Sequence, residues 1–464
     1  DARIVLLNRE LADELGLDAD ALASDDGAAL LAGMSAPEDA RPIAQAYAGH
    51  QFGGFSPRLG DGRALLLGEL IDRRGQRRDL HLKGSGRTPF SRGGDGKAVL
   101  GPVLREYLIG EAMHALGVPT TRALAVVTTG ERVVRAGGPK PGAILARVAS
   151  SHLRIGTFEF LSARRDHERV RQLVDYAIRR HDPHLMDAED PALELLKAVR
   201  GRQAKLVAQW MGVGFIHGVM NTDNTTISGE TIDYGPCAFM DGFDPETVFS
   251  SIDHHGRYAY GNQPSILNWN LARLAEALLP VVKAPDQETA IEIATAEVEA
   301  FGAIFLREWE QVMCAKLGLS EVRDGDGRLA GDLLDLMAAD TVDFTTTFRA
   351  LAEALRGGRS ALEALFAGSD PIDAWYTRWT ARLEASGDEP AARADAMDRV
   401  NPVYIPRNHL VEEALDAAEE ELDLEPARRI HAVLAEPFTR RSGLDRYAEA
   451  APTDFGPYVT YCGT

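Results

Sequence analysis

The stretch 217–224 reads HGVMNTDN, and the stretch 231–235 a little further on reads TIDYG. The first follows a long segment of helical periodicity and ends in Asp223 and Asn224. The second is a short apolar piece that leads into Asp233, Tyr234 and Gly235. Asp and Asn are common in turns because their side chains bond to nearby backbone. Each residue alone is therefore explained as a turn or loop residue, and the order of the two stretches carries the argument.

In that order the two stretches match two elements of protein kinases. The kinase catalytic loop reads His-x-Asp-x-x-x-x-Asn, with the Asp as base and the Asn on the metal, and a later Asp-Phe-Gly element holds Mg²⁺. Aligning His217 with the loop histidine places Asn224 and Asp233 on the two metal ligands. Val219 then stands at the base position. Asp223, one residue before Asn224, could replace the missing base.

Working outward, the stretch 79–83 (DLHLK) predicts a strand that ends at Lys83. Glu106 follows 23 residues later, in a segment whose periodicity predicts a helix over 99–116. A strand lysine held by a helix glutamate is the positioning pair of protein kinases. Glu111 is a competing partner, and a lone lysine at a strand end is more often a solvated surface residue.

Glycine loops precede and follow Lys83, at 59–63 (LGDGR) and 93–97 (GGDGK). Glycine lets backbone N–H groups approach a phosphate, although Gly-Asp-Gly is also a common turn. Arg147 and Arg154 stand where guanidinium groups could clamp phosphate oxygens. The alternative for both arginines is a surface salt bridge, because the chain is acidic.

The apolar patterns predict an α+β protein-kinase-like fold with two lobes. Strands are expected over 64–70, 79–82, 122–128, 131–135 and 143–149, with a hairpin turn at Thr129-Gly130. Helical periodicity dominates after residue 164 and predicts helices that include 166–180, 192–211, 266–279 and 287–316. We expect a β-rich nucleotide-binding lobe with one embedded helix at 1–155, a helical lobe with the catalytic and metal loops at 156–280, and a helical extension at 281–464.

Composition limits the function further. The 464 residues include 50 Lys and Arg against 70 Asp and Glu, a net charge of −20. This excess argues against nucleic acid or an anionic membrane as partner, and no apolar run approaches the ~18 residues of a membrane span. Three cysteines, Cys237, Cys314 and Cys462, are too few for a disulfide framework or a cysteine zinc cluster. We expect a cytoplasmic monomer.

Together these motifs resemble the selenoprotein O family of protein adenylyltransferases, kinase-fold proteins long taken for inactive pseudokinases. The resemblance covers roughly residues 40 to 270 and is looser near Asn401-Pro402 and Pro406-Arg407-Asn408. The matching runs are QAYAGHQFG at 45–53, LGDGR at 59–63, LKGSGRTPFSR at 82–92, LREYL at 104–108, GVMNTDN at 218–224 and DYGP at 233–236.

The resemblance implies a bacterial enzyme that transfers AMP from ATP, with Mg²⁺ or Mn²⁺, to Ser, Thr or Tyr hydroxyls of proteins, itself included. UTP is a second possible donor. ATP would lie inverted relative to kinases, with its α-phosphate toward the acceptor. The implied roles are phosphate contacts from Lys83, Arg147 and Arg154, a nucleotide site lined by Gly60, Gly62, Arg63, Asp95 and Gly96, metal ligands Asn224 and Asp233, Glu106 holding Lys83, and Asp223 accepting the proton.

Two other functions stay open on the residues alone: a kinase that uses Asp223 as base, and a nucleotide-binding scaffold without catalysis. A complete metal pair favours an enzyme over a scaffold. Cys462 stands third from the end, where family members carry selenocysteine or cysteine, and this implies redox sensitivity. Cys237 is a candidate partner for Cys462, but no family cysteine supports that pairing.

Overall fold

A mixed α/β structure with a β-sheet lobe and a helical lobe is seen in the computed structural model, which describes residues 2–135, 137–385, 387 and 389–461. Within these residues the strands are β1 (Arg3–Leu7), β2 (Gly49–Gln51), β3 (Gly54–Ser56), β4 (Ala64–Ile71), β5 (Arg77–Lys83), β6 (Ala98–Val99), β7 (Arg122–Arg135), β8 (Gly138–Ala149), β9 (Phe215–Ile216) and β10 (Ala238–Phe239). The main sheet has the order β1-β7-β8-β5-β4, with β6 beside β8. All its pairs are antiparallel.

The helices of the same residues begin in the N-terminal lobe and fill the second lobe. They are α1 (Arg9–Glu14), α2 (Ala19–Leu22), α3 (Asp25–Leu31), α4 (Leu100–Ala115), α5 (Ile155–Ser162), α6 (His167–His181), α7 (Pro191–Gly212), α8 (Gln263–Leu278), α9 (Gln287–Glu299), α10 (Phe301–Lys316), α11 (Asp326–Asp340), α12 (Phe344–Leu355), α13 (Ser360–Glu363), α14 (Ser369–Glu384), α15 (Pro390–Asp398), α16 (Asn408–Glu421) and α17 (Glu425–Leu434).

The main sheet is covered on both faces because its inner strands alternate buried side chains to either side. On one face Val126 and Leu145 pack into the core that contains α4, the embedded helix predicted over 99–116. On the other face Leu124 and Ala146 pack against α1–α3. The expectation of a single helix in this lobe was therefore incomplete, since these short N-terminal helices supply the second cover.

The hairpin predicted at Thr129-Gly130 is wrong. β7 runs through this point, and both of its halves pair with β8, Thr128 opposite Ala143 and Arg132 opposite Pro141. Gly130 has a positive φ of 74°, which here accommodates extra residues in a bulge and does not reverse the chain. β8 is therefore the antiparallel partner of both halves of β7.

The helical lobe follows the predicted pattern with one correction. The single helix expected over 287–316 is two helices, α9 and α10, separated at Ala300. α9 packs on α8 and α10 packs on α7, so the two halves follow different neighbours. A second core, centred on Phe348, Trp375 and Trp379, holds the C-terminal helices together.

α16 braces the start of α4 from outside. Glu419 on α16 accepts a hydrogen bond from the backbone N–H of Gly101 at 3.0 Å and pairs with Lys140 at 2.5 Å. Glu412, about two helical turns earlier on α16, pairs with Arg105. A Cβ on Gly101 would lie 2.4 Å from the Glu419 carboxylate. The C-terminal region is thus fitted closely against the helix that carries Glu106.

No helix in the described part of the chain is both long enough and apolar enough to cross a bilayer. Cys237 and Cys314 are buried free thiols, and burial raises the pKa of each to about 12. Cys462, and with it the suggested pairing, lies outside the described residues.

Candidate active site

Lys83 at the end of β5 reaches two carboxylates. Its Nζ donates to Glu106 Oε2 at 2.5 Å and to Asp233 Oδ1 at 2.8 Å. The competing Glu111 instead pairs with Arg122 at 2.8 Å and accepts the N–H of Ala123. The pair chosen from the sequence, Lys83 with Glu106, is therefore present.

Arg147 and Arg154 converge on the same carboxylate. Arg147 Nη1 donates to Asp233 Oδ1 and to Glu106 Oε1, each at 2.8 Å. Arg154 Nη1 donates to Asp233 Oδ2 and to the backbone carbonyl of Asp223. The side chains of both arginines are almost fully buried, at 2% and 3% exposed. Because both side chains are buried in the cleft, the alternative that these arginines form surface salt bridges is excluded.

Burial alone would raise the pKa of the Asp233 carboxyl, but Arg154, Lys83 and Arg147 outweigh it and hold that pKa well below its usual range. The pKa of Glu106 is lowered in the same way, because Lys83 and Arg147 outweigh its burial. Both groups are therefore anionic at neutral pH. They hold three cations together that would otherwise repel one another.

The glycine loops close over this cluster. Gly60 has a φ of 80°, and a Cβ there would lie 2.4 Å from the Phe90 ring. Gly96 has a φ of 68°, and a Cβ there would lie 2.1 Å from the carbonyl oxygen of Gly86. Both positions therefore require glycine, and each loop packs closely against the segment 86–90 that lies between them in the sequence. Asp95 beside Gly96 pairs with Arg135, and hydrogen bonds from that guanidinium lower the pKa of Asp95 to about 2.

The catalytic loop presents Asp223, Asn224 and Val219 to the same cleft. The Asp223 Oδ2 atom accepts from Gln51 at 3.1 Å, whereas its buried Oδ1 has no hydrogen-bond partner among the described residues. Burial raises the pKa of Asp223 to about 6, against the opposing effect of Arg154. Asn224 donates from Nδ2 to the Val219 carbonyl at 3.0 Å, which leaves its Oδ1 as the atom for a ligand.

The cleft has a volume of about 440 Å³. Asp223 and Val219 line it, together with every residue predicted to bind the nucleotide or the metal. These predicted residues are Gly60, Gly62, Arg63, Lys83, Asp95, Gly96, Arg147, Arg154, Asn224 and Asp233. Glu106 lies behind Lys83 and Arg147. Gly60 and Asp233, which are 173 residues apart in the sequence, thus meet at one site.

The donor set fits a metal that shares its coordination with phosphate. Asn224 Oδ1 and the Asp233 carboxylate are hard oxygen donors of the kind that Mg²⁺ and Mn²⁺ take. Within the described residues no group of three or more His, Cys, Asp or Glu side chains could hold a metal alone. An Mg²⁺ site of one or two protein oxygens completed by phosphates and water is the usual arrangement in nucleotide enzymes.

The part played by the β2–β3 hairpin was not predicted from the sequence. Gln51 bonds Asp223, the backbone N–H of Phe52 donates to Asn221 Oδ1 at 3.1 Å, and that of His50 donates to Thr222 at 2.7 Å. These residues lie within the run 45–53 that carried the family resemblance, and this was the one available signal. Nothing in their local pattern indicates a contact about 170 residues away.

Buried cations, oxygen donors and a carboxylate with one oxygen left unbonded by the described residues surround one cleft. These are the features of an enzyme that transfers a phosphorus-containing group. The chain belongs to the SelO family: the family described as "Protein adenylyltransferase SelO" matches residues 1–435.

Relatives span nearly the whole length of the chain. A protein of Cereibacter sphaeroides is 61% identical over 463 residues, which are 100% of this chain and 94% of the relative. One from Mycolicibacterium smegmatis is 57% identical over 468 residues (100% and 93%), and one from Chromobacterium violaceum is 57% identical over 458 residues (98% and 96%). Each is named protein nucleotidyltransferase YdiU. The chain is thus an enzyme of the nucleotidyltransferase class.

Proposed function

We propose that this enzyme transfers AMP from ATP to Ser, Thr or Tyr hydroxyls of proteins, itself included, with Mg²⁺ or Mn²⁺ and with UTP as a second donor. The observation that carries the proposal is Asp223. Its carboxyl is buried, has one oxygen without a hydrogen-bond partner among the described residues, and has a pKa raised to about 6, while Val219 stands where a kinase has its base. Because Val219 offers no carboxylate at the kinase base position, ordinary γ-phosphoryl transfer is disfavoured, and a base at Asp223 beside buried cations can still serve attack on another phosphorus.

We also propose that the two lobes are those of the protein-kinase fold. The support is the order of parts: a strand lysine, a glutamate on the embedded helix, a loop with Asn224 and then Asp233. On this assignment the nucleotide-binding lobe ends near residue 155, the catalytic lobe near 280, and the remaining helices form an extension.

In the reaction, the acceptor hydroxyl attacks the α-phosphorus of ATP. The new O–P bond forms as the bond from the α-phosphorus to the bridging oxygen breaks, and pyrophosphate leaves. Asp223 accepts the hydroxyl proton at Oδ1. Lys83, Arg147 and Arg154 hold the phosphates and stabilise the charge that develops on them, because they are fixed in place before the substrate binds.

Asn224 and Asp233 would hold the divalent cation. When bound, that cation neutralises phosphate charge and favours departure of pyrophosphate. Asp233 also keeps the three cations together, so its removal affects phosphate binding as well as metal binding.

A kinase that uses Asp223 as base is the second candidate, since the same carboxylate could serve γ-phosphoryl transfer. The scaffold without catalysis is set aside by membership in an enzyme family. The position of the labelled phosphate in the product separates the two enzymatic functions.

The test compares ATP labelled with ³²P at the α- or the γ-phosphate, with Mg²⁺ or Mn²⁺, and follows self-labelling and labelling of a generic protein. Asp233→Ala is the blank. Label only from the α-position is the expected result. Label only from the γ-position would make the chain a kinase and overturn the assignment. [³²P]UTP labelled at the α-phosphate tests the second donor in the same assay.

A further inference from the structure

The β2–β3 hairpin forms one rim of the cleft next to Asp223. Phe52, at the turn of this hairpin, lines the cleft, as does Ile252 from the loop between β10 and α8. Phe52, Phe55 and Ile252 are exposed by 39%, 44% and 44%. Phe52 and Ile252 line the cleft together with Asp223, and Phe55 lies on the same hairpin against the His50 ring. Exposed apolar side chains grouped in this way mark interaction sites. We name Phe52, Phe55, Ile252 and Arg257 the acceptor face.

The turn of the hairpin is strained at Phe52. The two central residues, Phe52 and Gly53, have φ values of 51° and 84°. A two-residue turn with both φ values positive favours Asn-Gly or Gly-Gly, and a bulky side chain at positive φ is disfavoured. A phenylalanine held in this disfavoured conformation indicates that its side chain serves a purpose beyond the turn.

Arg257 supplies a cation beside this turn. A Cβ on Gly53 would lie 4.0 Å from the Arg257 guanidinium carbon. The guanidinium lies over the Trp269 ring at 5.0 Å and near the Tyr258 ring at 5.7 Å, which orients it.

Arg257 forms no ion pair with a carboxylate in the described part of the chain, and its buried Nε has no hydrogen-bond partner there. The nearby Asp253 carboxylate accepts the backbone N–H groups of Arg257 and Tyr258, at 2.9 and 2.7 Å. The neighbouring Arg273 is matched by Glu276 at 2.7 Å. In a chain with a net charge of −20, an arginine that has no carboxylate partner among the described residues and lies beside the hairpin turn is complementary to an acidic ligand.

We propose that the acceptor face holds an extended segment of the acceptor protein, with an apolar side chain against Phe52 and Phe55 and an Asp or Glu side chain paired with Arg257. This arrangement places the acceptor hydroxyl at Asp223, and in that respect it rests on the proposed function. The enzyme then prefers hydroxyls that have an acidic neighbour. The nucleotide is bound by other residues, so the preference belongs to the acceptor alone.

The test measures binding separately from transfer. Two fluorescein-labelled peptides share one sequence around a serine and differ only in a neighbouring Glu or Lys. Their affinities for the full chain are measured by fluorescence anisotropy, with Mg²⁺ and α,β-methylene-ATP present. We expect the Glu peptide to bind at least tenfold more tightly, Arg257→Glu to reverse the preference, and Phe55→Ser to weaken both peptides about fivefold. Arg429→Glu, an equal charge change on exposed α17, should leave both affinities unchanged.

Equal affinities in the unaltered chain, or a preference that survives Arg257→Glu, would overturn the acceptor face. Undetectable binding of both peptides while whole proteins are labelled would do the same. Transfer of α-label is then measured on the same peptides. Transfer without a preference removes the acceptor face and leaves the proposed function. If the Glu peptide binds preferentially but no α-label is transferred, the proposed function is refuted and the acceptor face stands. An unchanged KM for ATP in Arg257→Glu, with an unchanged melting curve, shows that the variant acts on the acceptor.

Discussion

Replacing Gly49 by alanine is expected to slow nucleotidyl transfer while the protein stays folded. Gly49 lies in β2, and its backbone conformation is one that alanine adopts without strain. A Cβ there would lie 2.7 Å from Asp223 Oδ1, whereas ordinary contact begins at 3.4 Å. The carboxylate must therefore move by about 0.7 Å, the difference between these distances. Since a displacement of ~1 Å costs ~100-fold in rate, we expect kcat to fall roughly 25-fold.

The assay is the rate of α-³²P transfer to a protein acceptor at saturating ATP, with thermal unfolding measured alongside. Gly54→Ala in the same hairpin is the matched control, because its Cβ would lie no closer than 3.5 Å to another atom. It should keep the rate of the unaltered enzyme. A folded Gly49→Ala enzyme with an unchanged kcat would show that the position of Asp223 does not limit the reaction. The role of proton acceptor would then have to be withdrawn.

Four further outcomes are expected. Lys83→Ala should lower the transfer rate about 100-fold and leave the melting temperature nearly unchanged, because Arg147 still holds Glu106; insoluble protein would instead make Lys83 structural. Glu111→Gln should lower the free energy of unfolding in urea by about 3 kcal/mol but leave kcat of the folded enzyme unaltered, which an activity loss would contradict. Val219→Asp should still give no label from γ-³²P ATP, and strong γ-labelling would argue against inverted ATP. Burial lowers the pKa of Lys316 from 10.5 to about 7. Between these two pH values the Lys316 amine is protonated in the unfolded chain and neutral in the folded protein. Stability in urea should therefore rise from pH 7 toward pH 10, by up to ~1.4 kcal/mol per pH unit, relative to Lys316→Met; parallel pH curves for the two proteins would refute this.

The choice between Glu106 and Glu111 shows how far local reasoning reaches. The two residues are five positions apart, which on an α-helix is a rotation of about 140°. Only one of them can face Lys83, and the structure gives Glu106 that face and turns Glu111 toward Arg122. The strand, the helix and the order of the motifs were thus predictable, because periodicity and spacing are properties of the chain itself.

Other features depended on contacts that no local pattern encodes. Thr129-Gly130 has the composition of a turn, yet pairing of both halves of β7 with β8 makes it a bulge. Gln51 reaches Asp223 only because a separate hairpin docks on the catalytic loop. Arg147 and Arg154 could be proposed as phosphate ligands, but their shared bond to Asp233 became visible only in three dimensions.

The brace between α16 and α4 has a consequence for control of the enzyme. In protein kinases, activity is switched by moving the helix that carries the lysine-binding glutamate. Here such a movement would strip Gly101 and Arg105 of their carboxylate partners, Glu419 and Glu412. We therefore expect the pair of Lys83 and Glu106 to stay assembled, without an on–off transition of this helix. We expect the C-terminal segment to hold α4 in place, so that a cut before residue 408 inactivates the enzyme although no described residue beyond that point lines the cleft.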